Sequence, residues 1–181
     1  QMNQFKVFLF LIIFSLIFSQ EKGGMTTSGS MGSVTIDGKI YNQVAIRPEI
    51  PIGKLGLGLD AYVYFNDEGI YEGNWDFSSG QAAYETIIDK IYYIRWGKPG
   101  DNLYFKVGAL PSATLGQGIL VNNYSNIMEY PQIRRVGLDF KMKFMKQWGV
   151  EIIHSNFKKV TPGLLATRLS YDPFPRLSAG F

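Results

Sequence analysis

The stretch with the most catalytic chemistry in this sequence is Glu-Ile-Ile-His-Ser-Asn, residues Glu151–Asn156. A Ser–His relay requires the two side chains to lie within hydrogen-bond reach of each other. The surrounding apolar alternation predicts a strand, in which His154 and Ser155 point to opposite faces. We therefore expect no catalytic residues and no enzyme. His154 instead shares a face with Trp148 and Val150, where that apolar face would reach a membrane interface.

Cofactor and metal chemistry also finds little support. The chain has no cysteine, which excludes disulfides, thiolate metal sites and a cysteine nucleophile. Leu115–Gly118 (LGQG) is glycine-rich but lacks the Lys-Ser/Thr pair and the following helix of a phosphate loop. Asp67, Glu68 and Asp76 lie in a polar loop and could bind calcium, although acidic loop residues are more often simply solvated. We expect no cofactor and no resident metal.

Composition narrows the class of protein further. The 181 residues have a formal net charge of +3 and no basic run, which argues against a nucleic-acid partner. Only 18% of the residues are charged and 15% are aromatic. A mean hydropathy of −0.02 excludes a protein with many membrane helices. It does not exclude a membrane β-barrel, because alternation averages apolar and polar positions.

The N-terminal residues predict export. Val7–Phe18 is a twelve-residue apolar run that follows Lys6, and this is too short for a spanning helix of about 20 residues. We interpret residues 1–19 as a cleaved signal peptide, with a short membrane anchor as the alternative. Residues 20–38 are rich in Gly, Ser and Thr, and we expect a flexible N-terminal segment there. Residues 39–181 form the remaining domain.

That domain is a succession of alternating strand patterns. Leu55–Phe65 (LGLGLDAYVYF) and Arg134–Phe144 (RRVGLDFKMKF) are the two clearest examples, each with apolar residues at every second position. Very short turns and the long loops 66–89 and 111–132 separate the strands, and residues 81–89 predict a short helix within the first loop. We expect about eight strands in total.

Alternation divides the side chains into two predicted sets. The apolar set is predicted to face lipid: Leu55, Leu57, Leu59, Val63, Phe65, Val136, Leu138, Phe140, Met142 and Phe144. The polar set is predicted to face the barrel lumen: Tyr41, Gln43, Arg47, Glu49, Asp60, Tyr62, Tyr64, Lys106, Arg135, Asp139, Lys141 and Lys143.

Three features favour lipid over a protein core as the surroundings of the apolar set. The best strands have eleven residues, which matches the roughly 9–11 of a tilted bilayer crossing. Short turns alternate with long loops, and aromatic residues gather at strand ends, as in outer-membrane barrels. We therefore predict an all-β fold, an antiparallel up-and-down transmembrane β-barrel. The pattern leaves open whether it is a complete small barrel or the N-terminal part of a larger one. A soluble lipocalin-like barrel or a β-sandwich remains the competing fold.

With this signal peptide and these strands, residues Lys39–Phe181 resemble Gram-negative outer-membrane β-barrel proteins of the porin type. The segment Leu115–Phe140 (LGQGILVNNYSNIMEYPQIRRVGLDF) is similar to a stretch of uncharacterised porin-like barrels. The resemblance implies an outer-membrane location, lipid contact and passive passage of small polar solutes. The alternatives are a non-conducting structural or adhesion barrel that acts through its external loops, and a soluble periplasmic barrel that binds an apolar ligand. The sequence does not indicate an oligomeric state.

Overall fold

A computed structural model of the chain describes residues 26–130, 133–145, 147–159, 163–174 and 177–180. The predicted signal peptide, residues 1–19, lies outside the described residues. The chain divides into two compact units. Unit 1 comprises Gln1–Ile52 and Leu57–Tyr92, and unit 2 comprises Gly53–Gly56 and Tyr93–Phe181.

The described residues are mostly antiparallel β-structure, which confirms the all-β class. The elements of the first half are β1 Thr26–Ile36, β2 Lys39–Ile52, β3 Leu55–Leu59, β4 Ala61–Asn66, β5 Gly69–Ile70 and α1 Gly80–Asp89, with a 3₁₀ turn at Glu72–Asn74. The elements of the second half are β6 Ile91–Trp96, β7 Leu103–Gly108, β8 Gly137–Phe144, β9 Trp148–His154, β10 Leu165–Phe174 and β11 Leu177–Gly180.

Strand β1 lies in the segment for which the sequence predicts flexibility, so that expectation is wrong for Thr26–Ile36. All eleven residues of β1 pair with β2 in an antiparallel register. The connection is Asp37-Gly38, with φ of 49° and 78°, as a two-residue hairpin turn with two left-handed residues requires. Main-chain hydrogen bonds hold β1 against β2. Because β1 is rich in Gly, Ser and Thr, it lacks the apolar alternation by which the other strands are predicted.

The stretch Leu55–Phe65 forms two strands because Asp60 interrupts the ladder. The β4 residues continue along β2, with Ala45 opposite Tyr62. Asp60 donates its backbone N–H to the Lys90 carbonyl at 2.8 Å. Its side chain is 0% exposed and accepts a hydrogen bond from Arg47 Nε at 2.9 Å. A buried ion pair thus lies at the break between β3 and β4.

Unit 2 contains a meander in which β7, β8, β9 and β10 each pair with the strand before and after them in sequence. The turns between β6 and β7, and between β8 and β9, are short, as predicted. The described part of the long connection between β7 and β8 has no strand, apart from a bridge between Ala113 and Tyr124. Strand β8 begins at Gly137 rather than at the predicted Arg134, so Arg135 and Val136 lie in this connection.

The predicted helix is present as α1. It begins one residue earlier than expected, at Gly80, because the Ser79 side chain accepts a hydrogen bond from the Ala82 N–H and caps the helix. No helix among the described residues is long and apolar enough to cross a membrane.

The described strands do not close into a barrel, in contrast to the expected closed sheet. β5 and β11 stand at the two ends of the hydrogen-bonded order, and no described pairing joins them. Alternation in a sequence determines which face a residue occupies, but it contains no information about which edge strands pair. The sequence therefore predicts the faces of these strands more securely than their closure.

The buried Arg47–Asp60 pair makes a stability prediction. Asp60→Asn removes the carboxylate charge that pairs with the Arg47 guanidinium, which is 14% exposed. Breaking a buried pair in this way costs roughly 3–5 kcal/mol. We expect that loss in the free energy of unfolding of the folded chain, measured by urea titration. Asp67→Asn, at an exposed position between β4 and β5, is the control and should leave stability unchanged. Equal stability of the two variants would contradict the prediction.

Candidate functional site

The strand register of unit 2 collects charged side chains on one face of the sheet. Residues directly opposite each other on paired strands share a face, and so do alternate residues of one strand. One row places Lys106 of β7 between Arg95 and Asp139, and the next places Glu151 of β9 between Lys141 and Arg168. We call this the charged face, and its charged members are Arg95, Lys106, Asp139, Lys141, Lys143, Glu151 and Arg168.

The opposite face of the same strands has no Lys, Arg, Asp or Glu at any paired position from β6 to β10. We call it the uncharged face. Its members are Ile94, Trp96, Leu103, Phe105, Val107, Leu138, Phe140, Met142, Phe144, Trp148, Val150, Ile152, His154, Leu165, Thr167, Leu169 and Tyr171. Several of these side chains are exposed, Leu165 to 68%. The sheet therefore exposes apolar groups and covers charged ones, the reverse of a water-soluble sheet.

Residues Pro111–Asn126, which we call the covering segment, lie on the charged face. Ala113, Leu115 and Val121 pack with Ile153 of β9, whose side chain is 0% exposed. The segment is held in shape by its own backbone, with Leu115 N–H donating to the Val121 carbonyl at 2.9 Å. The covering segment, which has no regular strand, thus packs against the charged face of the sheet.

Glu151 joins the covering segment to the sheet. Its Oε1 accepts a hydrogen bond from Arg168 Nη1 at 2.7 Å, and its Oε2 accepts one from the Gly116 N–H at 2.9 Å. Lys141 Nζ lies 3.7 Å from the same Oε2 and donates to the Thr114 carbonyl at 2.7 Å. Gly116 has φ of 57°, and a Cβ there would lie 2.6 Å from Arg168 Nε. Only glycine allows the segment this close to the arginine.

Asn126 fixes the other end of the covering segment, although no sequence pattern singles it out. Its side chain is 1% exposed. Its Oδ1 accepts the Leu110 N–H at 2.7 Å, and its Nδ2 donates to the carbonyls of Ser155 at 3.1 Å and Gly108 at 3.3 Å. One amide thereby satisfies three main-chain groups of an irregular region. Its position in a polar Asn/Ser-rich run resembles that of any solvated loop residue.

Asp139 is the most buried charge of the charged face, at 5% exposure. Lys106 is directly opposite on β7, and Lys141 lies two residues along β8. Its Oδ1 is buried and has no hydrogen-bond partner among the described residues. Lys106 also places its Nζ 4.2 Å from the centre of the Tyr93 ring. Lys106, Lys141 and the Glu151 carboxylate all lie close enough to act electrostatically on Asp139, so its surroundings are of mixed charge.

Unit 1 has its own buried polar layer. The Arg47 guanidinium, paired with Asp60, lies 5.0 Å from the centre of the Tyr92 ring. Further along the layer, Asp89 accepts a hydrogen bond from Tyr62 Oη at 2.8 Å and pairs with Lys90 Nζ at 2.9 Å.

Aromatic rings complete this layer. Lys90 Nζ lies 3.9 Å from the centre of the Tyr62 ring and 4.8 Å from that of Trp75. Trp75 donates its Nε1–H to the Tyr62 carbonyl at 3.0 Å, so the connection after β5 covers the polar side of β4.

The structure brings most of the predicted lumen set to these covered faces. Gln43, Glu49, Asp60, Tyr62, Tyr64 and Asp139 are buried, Tyr41, Arg47, Lys106 and Lys141 are half-buried, and Lys143 is exposed. Arg135 is the exception: it precedes β8 and pairs with Glu129 in the connection, because the strand begins at Gly137, three residues later than the pattern predicts.

The predicted lipid set lies on the other side of its strands. Leu55, Leu57, Leu59, Val63, Leu138, Phe140, Met142 and Phe144 are half-buried, and Phe65 is exposed. Val136 departs from the prediction in the same way as Arg135. It lies in the connection, where its N–H donates to Asn156 Oδ1 at 3.2 Å.

The sequence motifs considered for chemistry have structural partners. The Ser155 hydroxyl accepts the Leu164 N–H at 2.9 Å, while His154 lies on the uncharged face. Glu68 pairs with Lys39 at 2.6 Å. Hydrogen bonds from the Ser78 side chain and backbone lower the pKa of the Asp76 carboxyl, which closes its own turn. No group of three or more potential metal ligands occurs among the residues that the structure describes.

The contacts of Glu151 predict how firmly the covering segment is held. Glu151→Gln removes two charge-assisted interactions, each worth about 1.5–3 kcal/mol. We expect the Gly116 amide to exchange hydrogen roughly tenfold to a hundredfold faster, measured by hydrogen–deuterium exchange on the folded chain. Glu129→Gln removes the same charge from the connection and should leave Gly116 exchange unchanged. Unaltered Gly116 exchange in Glu151→Gln would show that Glu151 does not hold the segment.

No family model, curated protein or solved structure matches this chain. The function is therefore inferred from the charged and uncharged faces of the sheet and from the covering segment.

Proposed function

We propose that this chain is an outer-membrane β-barrel protein of the porin type, which allows passive passage of small polar solutes. The observation that carries the proposal is the contrast between the two faces of unit 2. One face has seven charged side chains and is partly covered by the covering segment, and the opposite face has none. A bilayer outside and water inside match this arrangement.

The uncharged face supports contact with lipid on energetic grounds. In a bilayer, a Lys or Arg on the outer face of a barrel costs about 2–4 kcal/mol near the midplane, so such positions remain apolar. In water, contiguous apolar patches of this kind are rare on monomeric proteins because their exposure is unfavourable. Rows such as Leu103–Met142–Val150–Leu169 extend across four strands without a polar side chain.

Aromatic residues gather where the short turns begin. Phe144 and Trp148 flank the turn between β8 and β9, and Tyr171 is opposite Trp148 on β10. The Trp148 and Tyr171 ring centres are 4.7 Å apart. Trp96 occupies the equivalent position at the end of β6. Amphipathic rings at one level of a sheet suit the boundary between hydrocarbon and headgroups.

In the proposed barrel the charged face lines the water-filled interior and the covering segment narrows it. Closure of such a barrel requires the edge strands to pair in the membrane, because unsatisfied N–H and C=O groups in hydrocarbon cost several kcal/mol each. Within the meander of unit 2, the short turns after β6 and β8 lie at one end and the long connection after β7 lies at the other, as at the periplasmic and external ends of such barrels.

One observation favours a second candidate function. The covering segment occupies part of the charged face and bonds to Lys141 and Glu151, as expected of an interior filled by its own chain. A barrel of this kind would be a non-conducting structural or adhesion protein that acts through its external loops.

Lipid contact is testable because the chain has no cysteine, so single cysteines can be labelled without background. We expect an environment-sensitive fluorophore at Leu138→Cys or Val150→Cys, on the uncharged face, to be quenched by lipids with chain-attached quenchers. The same label at Lys143→Cys, on the charged face, should instead respond to an aqueous quencher. Quenching of all three labels by the aqueous quencher alone would overturn the membrane assignment.

Conduction separates the two candidate functions. We expect stepwise current increases when the full chain inserts into a planar lipid bilayer, because a charged, water-filled interior conducts ions. Vesicle flotation of the same preparation controls for insertion. Inserted protein that gives no current would contradict the porin proposal and favour the non-conducting barrel.

A further inference from the structure

The sign of the charges on the charged face indicates which class of solute would pass most readily. We infer that the passage through unit 2 prefers small anions over small cations. This inference rests on the proposed function, because it describes what the same charged face would select.

The charge count of the face gives the sign. Its described members are five basic side chains, Arg95, Lys106, Lys141, Lys143 and Arg168, and two carboxylates, Asp139 and Glu151. The excess is three positive charges. The whole chain has a formal net charge of only +3, so an excess of the same size on one face of one unit is a strong local concentration.

The excess of positive charge is concentrated on neighbouring strands of the charged face. Arg95 and Lys106 are directly opposite each other on β6 and β7, a like-charge juxtaposition that is unfavourable in an isolated sheet. Lys141 and Lys143 follow each other on the same face of β8. The excess therefore lies on three adjacent strands and extends over two consecutive rows of β8.

The two carboxylates lie deeper than the cations beside them. Glu151 is engaged by Arg168 and by the Gly116 N–H, and Asp139 is 5% exposed between Lys106 and Lys141. Lys143, in contrast, is exposed. A solute that approaches this face beside the covering segment thus meets the exposed ammonium of Lys143 before it meets a carboxylate.

The electrostatic potential of these charges would favour anions over cations in a narrow passage. In a narrow passage with low-dielectric walls, an excess of one sign raises the local concentration of counter-ions about tenfold or more. Rings of Arg and Lys are the recognised basis of anion preference in pores. The chemistry selects by charge and size, so the class is small anions, inorganic or carboxylate, rather than one particular compound.

The test is the reversal potential of the full chain in a planar bilayer under a potassium chloride gradient. We expect chloride to be about tenfold more permeant than potassium near 0.01 M salt, where the Debye length is about 30 Å. The ratio should fall towards one near 1 M salt, where it is about 3 Å. A cation-preferring or unselective current at low salt would overturn the inference and leave the porin proposal intact. Inserted protein without current would overturn both.

Charge variants locate the selectivity on this face. Lys143→Glu changes an exposed side chain of the charged face, and we expect it to lower the chloride-to-potassium ratio severalfold. Lys106→Gln, which removes one charge, should lower it less. Lys98→Glu makes the same charge change in the exposed turn after β6 and should leave the ratio unaltered. Equal ratios in Lys143→Glu and Lys98→Glu, at equal insertion, would also overturn the inference.

Discussion

The cost of burying charge is the constraint on which this structure depends. Charged side chains occupy the covered faces of both units, where an isolated ion would be strongly unfavourable. Asp60 with Arg47 and Glu151 with Arg168 are each compensated by a partner on a neighbouring strand or position. A one-residue register slip would move every such side chain to the opposite face. The ion pairs therefore specify the register that the alternation of the sequence permits.

The same constraint explains why the covering segment can be irregular and yet fixed. Part of its backbone faces the sheet, between exposed residues such as Ile119 and Leu120, and those groups need partners. Glu151 and Lys141 reach up from the sheet to the Gly116 N–H and the Thr114 carbonyl, while Asn126 bonds three main-chain groups at its end. The charged side chains of the sheet and the main-chain groups of the covering segment thus supply hydrogen-bond partners to each other. The segment is part of the interior layer rather than an appendage.

Much of the strand layout could be predicted, because alternation depends on the two-residue period of a strand. The pattern assigned Lys141 and Leu138 to opposite faces, as the register shows. It missed β1, although Asp37-Gly38 is a recognisable hairpin signal. Arg135 was predicted on a strand that begins only at Gly137. Asn126 and the Glu151–Gly116 contact join residues far apart in sequence, so local pattern contains no trace of them.

The two faces of unit 2 also help to distinguish a soluble β-protein from a membrane β-protein. A soluble barrel that binds an apolar ligand would cover its apolar side chains and expose its charges. In unit 2 the covering segment lies instead on the face of Lys141 and Glu151, and Leu165 and Leu169 on the opposite face are exposed. An inverted sheet of this kind gains from a surrounding that is itself apolar, since only there is the exposure of those side chains without cost. The membrane of the proposed function would stabilise both faces of the sheet at once.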